Sequence, residues 1–513
     1  MAGRVHKSLL NAKVNLVFYF LSLFFSFFSR KIFLDCLGDE FIGLTGTLGN
    51  ILGYLNLAEL GVGAAISFFL YKPLQANNRD EINEIISVFG YLYHKIGQFI
   101  LLGGILISLF FPLIFGNTEL GLGIVYFSFF SFLGSSLIGY FINYRQILLT
   151  ADQKNYLVAV YFQSANLVKT ALQIFLAYTY KNLFVWVAIE FLFGIIGCII
   201  LNWKINKEYP WLKCNVRQGK ILLKKYPEVT PKIKQVFLHK IKDFILRQSD
   251  SIFIYAFVSL KMVAFYGNYT MLVNKLILLM NMALDGVTAG VGSLVAENNK
   301  DNTIKVFWEL MTIRYFIAGF MCYSLFFLVE PFISLWLGHE YILSNRILIL
   351  LLIYSYLLIT NGVVYMYLHA YGLYQDVWAM WTELVLNVSL TIGLGWYIGL
   401  EGLLWAKLIS VFLILVLWKP YFLFKEGLGM PISYYWNGTI RYIAAFIITL
   451  VIGYFLLFNY KEWALKTWSN LIGYGLLVLF SYLLLTVILY FSMTWGIKNL
   501  YKRLKIQLIG DKS

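Results

Sequence analysis

Long apolar stretches alternate with short polar ones along the whole chain. A window of about 20 residues, the length a helix needs to cross about 30 Å of hydrocarbon, picks out fourteen of them. They lie at 14–34, 41–70, 88–115, 121–144, 156–180, 183–203, 237–260, 262–296, 306–329, 347–372, 377–397, 402–423, 440–458 and 469–495. Those near 50 and 280 are long enough to tilt or to extend beyond a bilayer. The connections are short and leave no room for a separate soluble domain. The longest, 204–236, is basic, contains Pro210, Pro227 and Pro231, and reads as a cytoplasmic linker between two halves of six helices each. The pattern predicts an all-α polytopic membrane protein of about 14 transmembrane helices. Helices 1–6 fall in 1–203, helices 7–12 in 237–423, and helices 13–14 with a basic cytoplasmic tail in 424–513.

Composition agrees. Of 513 residues, 60% are hydrophobic and 13% charged, and mean hydropathy is +0.73, beyond what a soluble core requires. With the N-terminus inside, thirty of the 41 Lys and Arg fall in inner segments. Five fall in outer loops: Lys181, Lys261, Arg346, Lys461 and Lys466. That asymmetry predicts an even helix count with both termini cytoplasmic. It also accounts for the net charge of +15 through anionic lipid, so nucleic acid is not a partner that needs invoking. The first apolar stretch is too long for a signal-peptide core and no A-x-A-like site follows it, so it is expected to be a retained helix. Cys36, Cys198, Cys214 and Cys322 are scattered, with no CxxC pair, and read as small apolar residues.

Charge inside apolar stretches is the informative exception. In 237–260, His239, Asp243, Arg247 and Asp250 recur at steps of four, four and three, which places them on one helical face. A charge at mid-bilayer costs about 2.5–3.5 kcal/mol on insertion scales unless it meets water or a partner. The stripe therefore either lines a cavity for a charged cargo or sits at the cytoplasmic interface with Asp243 and Arg247 as an ordinary i,i+4 pair. Arg30 and Lys31 either snorkel to the outer headgroups or, with Arg247, Lys275 and Arg314, offer donors to a phosphate or pyrophosphate. Lys169, Glu190, Glu383 and Lys407 are expected in buried ion pairs or at the interface.

The two halves carry a weak internal repeat. LAELGVGAA (57–65) followed by NNRD (77–80) is echoed by ALDGVTAGVG (283–292) followed by NNKD (298–301), each in the second helix of its half. Arg30 and Arg247 likewise fall in the first helix of each half. Two six-helix lobes related by a pseudo-two-fold axis along the membrane normal are the expected architecture. Glu59 and Asp285, beside glycines, either bind a cation or proton, or pair with a neighbouring base while the glycines permit close helix approach.

Absences narrow the class. There is no GxxxxGK[ST] loop, no HExxH, no GxSxG and no paired-cysteine metal spacing, so nucleotide hydrolysis by a P-loop is excluded and no metal or organic cofactor is expected. A driving force would come from a Na+ or H+ gradient, the membrane potential or downstream consumption of the product.

Several segments resemble one family. RKIFLDCLGDEFIGLTGTLGNILGYLNLAELGVGAAISFFLYKPL (30–74), NYRQILLTADQKNY (143–156), FLHKIKDFILRQSDSIFIYAFV (237–258), FYGNYTMLVNKL (265–276), ISLWLG (333–338) and LNVSLTIGLGWYIGLEGLLWAKLIS (386–410) are similar to bacterial polysaccharide-export flippases. These are the Wzx-type lipid-linked oligosaccharide translocases of the multidrug/oligosaccharidyl-lipid/polysaccharide superfamily. The resemblance implies a MATE-like fold of two six-helix lobes plus two accessory helices, a central cavity, and alternating access without ATP in the bacterial inner membrane. Its implied cargo is an undecaprenyl-pyrophosphate-linked oligosaccharide for O-antigen, capsule or exopolysaccharide, and its implied protein partners are a polysaccharide polymerase and glycosyltransferases. By resemblance and position, Arg30 and Arg247 take the pyrophosphate, with Lys31, Lys275 and Arg314 as lesser contributors. Asp243, Asp250, Glu59 and Asp285 then position those cations or couple an ion.

Two rivals stand beside this reading. A cation-coupled multidrug exporter of the same superfamily calls for acidic rather than basic residues in its cavity. A polytopic polysaccharide polymerase calls for a large outer loop, and the outer loops here are short.

Overall fold

The computed structural model describes residues 2–501 apart from 60 and 298, without the side chains of 2–9, 11, 12, 58, 64, 235, 238–240, 242, 243, 247, 281–290, 293 and 296. The chain is helical throughout this range and divides into two compact units, Met1–Ala264 and Phe265–Ser513.

The first unit holds α1 (Ala2–Leu37), α2 (Asp39–Leu55), α3 (Val62–Gln75), α4 (Arg79–Ser108), α5 (Gly121–Phe141), α6 (Ser164–Tyr180), α7 (Leu183–Glu208), α8 (Gly219–Lys225) and α9 (Val229–Phe257), and ends inside α10 (Leu260–Ala296). Apolar residues cover most of these helices on most sides, as expected where lipid and neighbouring helices both replace water, with the charged α8 and α9 as exceptions. α7 packs on α5 and α6, α1 on α6, α4 on α3 and α5, and α9 on α2 and α3. The expected linker is not slack chain. It folds into α8 against α4, where the Lys213 and Asn215 amides donate to Asn83 Oδ1 and Ser87 Oγ at 2.9 Å, and Lys225 and Tyr226 both donate to Glu84 Oε2 at 2.6 Å. The compact unit accordingly runs on through the helix that follows it.

The second unit continues with α11 (Lys300–Trp336), α12 (Asn345–Thr360), α13 (Gly362–Ala370), α14 (Val377–Val411), α15 (Ile432–Leu457) and α16 (Trp468–Met493). α11 packs against α12, α15 and α16, and α12 against α14. The two C-terminal helices reach α11 through a column of buried tyrosines. Tyr315 and Tyr442 stack at 5.0 Å, Tyr482 donates to the Phe316 carbonyl at 2.6 Å, and the Tyr323 and Ser481 hydroxyls meet at 2.9 Å. The Tyr482 and Tyr323 hydroxyls thereby keep partners in a medium that offers none.

Ten helical runs among the described residues are long and apolar enough to cross a membrane. The difference from fourteen has physical causes. The stretch 41–70 is broken, since Gly61 takes φ +94° between α2 and α3 and splits it into helices of 17 and 14 residues. The regular helix in 156–180 is 17 residues long, after a π-helical turn at Ala159–Gln163. α9 carries too many charges. The stretches 377–397 and 402–423 count as one run because no loop parts them, although the backbone is non-helical at Ile398 and Gly399, where Gly399 has φ +57° and two helices meet at a kink.

Candidate functional site

The break between α2 and α3 builds a buried polar cluster. Asn56–Glu59 forms a 3-10 turn, and the Gly61 conformation releases the chain into α3 in a new direction. Glu59 accepts a hydrogen bond from the Tyr93 hydroxyl of α4 on one carboxylate oxygen and from the Tyr140 hydroxyl of α5, at 2.5 Å, on the other. Tyr140 and Ser136 also reach Asn56 Oδ1, at 3.1 and 3.3 Å. Both tyrosines are buried and pack ring to ring at 5.3 Å. A broken helix at membrane depth is tolerated only where protein satisfies its polar groups, and this turn is satisfied from two neighbouring helices.

Glycines let α9 approach the same break. A Cβ on Gly61 would lie 2.9 Å from the Phe237 nitrogen and 3.1 Å from the Ile233 carbonyl oxygen, and one on Gly53 would lie 2.7 Å from the Gln248 amide. Tyr54 of α2 donates to the Ile245 carbonyl of α9 at 3.3 Å. Gly53 and Gly61 thus admit α9 closely, while the hydrogen-bond partners of Glu59 are tyrosines where the packing alternative expected a neighbouring Arg or Lys.

The other expected site residues are placed as follows. Arg30 is half-buried on α1 and donates from Nη2 to the Ala264 carbonyl at 2.9 Å, tying α1 to the first residues of α10, while Lys31 beside it is exposed. Asp250 is half-buried on α9 and Lys275 half-buried on α10. Arg314 of α11 is buried in the second unit, its guanidinium packed on Gly362 at the α12–α13 junction, where an added Cβ would come within 2.8 Å of Cζ. The side chains of Arg247, Asp243, Asp285 and His239 lie outside the described residues.

Lys169 and Glu190, expected in a buried ion pair or at the interface, form a half-buried ion pair at 2.6 Å, with Gln173 donating to the same carboxylate at 3.0 Å. The repeated polar turn has a structural meaning as well. Asn78 caps α4 by accepting from the Glu81 amide at 3.3 Å, and Asn299 caps α11 by accepting from the Asn302 amide at 3.0 Å, three residues on in both. The carboxylate motifs differ, since α2 and α3 break beside Glu59 whereas α10 continues as one helix through 283–292. Sequence reasoning passed over Asn56, Tyr93, Ser136 and Tyr140. Tyr93 and Tyr140 lie 34 and 81 positions from Glu59 and are two of 37 tyrosines, so no local pattern marks them.

No family model matches the chain, and no curated protein matches it. Solved structures do. One described as lipid II flippase MurJ in an inward closed conformation superposes with a TM-score of 0.63 at 16% identity, covering 93% of this chain and 99% of that one. An inward-facing multidrug resistance transporter of the MATE family of the MOP superfamily gives a TM-score of 0.60 at 14% identity, covering 78% of this chain and 94% of that one. At such identities the likeness is one of fold. The chain is an all-helical, multi-pass membrane protein with the fold that these transporters share.

Proposed function

We propose that this protein is a flippase that carries an undecaprenyl-pyrophosphate-linked oligosaccharide from the inner to the outer leaflet of the bacterial cytoplasmic membrane by alternating access. The observation that carries the reading is cationic side chains within apolar helices, half-buried Arg30 and buried Arg314, in a fold that matches a lipid II flippase over 93% of this chain. The quoted motifs point the same way. Moving such a lipid requires a path for a polar glycan and a pyrophosphate, while the polyprenyl tail can stay in hydrocarbon. Guanidinium groups suit the anionic part because they offer forked donors and hold their charge. In this proposal Arg30 and Arg247 engage the pyrophosphate and Lys31, Lys275 and Arg314 contribute. Glu59, Asp243, Asp250 and Asp285 position these cations or couple a Na+ or H+ gradient. Fourteen crossings, in two six-helix lobes and two accessory helices with both termini cytoplasmic, belong to the same proposal.

The shielded Glu59 carboxylate also suits a cation-coupled exporter, the second reading, for which the likeness to a MATE transporter speaks. Leaflet-resolved labelling of undecaprenyl-pyrophosphate-linked glycan in vesicles reconstituted with the purified chain separates the two. Protein-dependent exposure of glycan on the far leaflet supports the flippase. Its absence, together with efflux of hydrophobic cations, overturns it in favour of the exporter.

A further inference from the structure

The segment between α7 and α9 presents a surface that the transport reading does not use. Its 3-10 turn Val216–Gln218 runs into α8, and the combined helix has two faces. Gly219, Leu222, Leu223 and Tyr226 face inward. Gly219 sits so tightly on α4 that a Cβ there would fall 2.5 Å from the Ser87 carbonyl oxygen and from Tyr91, and Tyr226 is held by Glu84. The opposite face carries Arg217, Lys220 and Lys224, spaced three and four apart, all exposed, around Ile221, which is 71% exposed. Among the described residues none of these three cations forms an ion pair.

Nearby side chains are of the kind found at headgroup depth. Trp203, 56% exposed near the end of α7, has the Lys207 ammonium 5.5 Å from its ring, and Trp211 has the Arg79 guanidinium at the same distance. Tryptophan beside a base is the arrangement favoured at a membrane interface. An apolar side chain ringed by cations and fastened at that depth can enter the acyl boundary while the cations meet phosphates, at about 1 kcal/mol, or roughly fivefold, per base.

We infer that the Arg217, Lys220, Ile221 and Lys224 face of the inter-helix segment is a docking surface for the anionic phospholipid headgroups of the adjoining leaflet. The occupant is bilayer phospholipid, as the matched charge and the apolar residue at its centre require. The surface is independent of the cargo.

The full chain, with Gln218→Cys labelled by an environment-sensitive fluorophore in a Cys214→Ser background, is placed in nanodiscs of phosphatidylcholine and phosphatidylglycerol. Quenching by brominated phosphatidylglycerol is compared with quenching by brominated phosphatidylcholine. The expected result is several-fold enrichment of the anionic lipid beside the probe, falling to the bulk ratio when Arg217, Lys220 and Lys224 are changed to Gln, and falling likewise at high ionic strength. Equal quenching by both lipids in the unsubstituted face, or enrichment that survives the triple change, overturns the inference. So does protection of the probe by soluble pyrophosphate in place of lipid. Should the triple variant fail to fold, the salt titration with the native face, and Lys220→Arg with Lys224→Arg, which must retain enrichment, decide the matter.

Discussion

Tyr140 donates its phenolic hydroxyl to Glu59 at 2.5 Å, joining the last turn of one membrane helix to the break in another. A hydrogen bond to a charged group contributes about 1.5–3 kcal/mol, so Tyr140→Phe and Tyr93→Phe are each expected to lower the unfolding temperature in detergent. The effect should shrink in a Glu59→Gln background, because the charge that strengthens the bond is gone. A Tyr140→Phe cost that is unchanged between the two backgrounds would show that the pair is not coupled.

Gly61→Ala is expected to reduce the folded fraction sharply. Alanine at φ +94° is strained by about 1–3 kcal/mol, and its methyl would press on the α9 backbone at 2.9–3.2 Å. Detergent-extractable, monodisperse protein is the measure, and wild-type yield would contradict the packing described. Gly49→Ala, which meets nothing within 4 Å, serves as the control.

The extent of the helices was legible because lipid exposure demands apolar residues over a fixed length. Even the lone charges Lys169 and Glu190 were readable, since an isolated charge in oil needs a partner. Breaks were less visible. Gly61 is one of 40 glycines, and nothing in the run GYLNLAELGVGAA distinguishes a glycine at positive φ from one that merely packs. Around Gly399 the two stretches expected from sequence, 377–397 and 402–423, do meet at non-helical backbone, but the bend is so short that no loop separates them. The tyrosines around Glu59 were invisible because tertiary folding alone brings α4 and α5 to the α2–α3 turn. Asn78 and Asn299, read from the sequence as a shared polar turn, are equivalent N-caps, a local role that local sequence does encode.

Replacing one member of the Lys169–Glu190 pair should harm the fold more than replacing both. Breaking a fully buried pair costs about 3–5 kcal/mol and this half-buried one should cost a fraction of that, whereas an apolar pair of similar volume is close to neutral. Lys169→Met and Glu190→Leu separately should lower thermal stability by several degrees, and the double variant should recover most of it. Additive losses would count against a shielded pair.

Cys214 lies outside the membrane helices, and burial pushes its thiol up to about 11, with Arg145 pulling it partly back. The thiolate is the reactive form, so alkylation of Cys214 in the folded protein should keep accelerating between about pH 9 and 11, where an ordinary thiol near 8.5 is already ionised. Because the folded protein holds the neutral form, that part of its stability is present below about pH 8.5 and is lost as pH rises toward 11. Rates by mass spectrometry that level off near pH 9 would contradict this.

On the proposed function, Arg30→Ala and Arg247→Ala should abolish complementation of a flippase-deficient strain at normal membrane abundance. Arg30→Lys is expected to be partly active if charge alone is needed and inactive if the forked donor is. Full complementation by both alanine variants removes these arginines from the proposed transport role.

The backbone of α9 rests on Gly61 with no side chain between them. Interlocked side chains give most helix pairs a corrugated contact with a preferred registry, and shifting one along the other means climbing out of each notch. At this seam the corrugation is missing over the turn that holds Ile233 and Phe237. Such a smooth bearing puts no notch in the way of a small axial slip, the kind of motion that the proposed alternating access would ask of this seam.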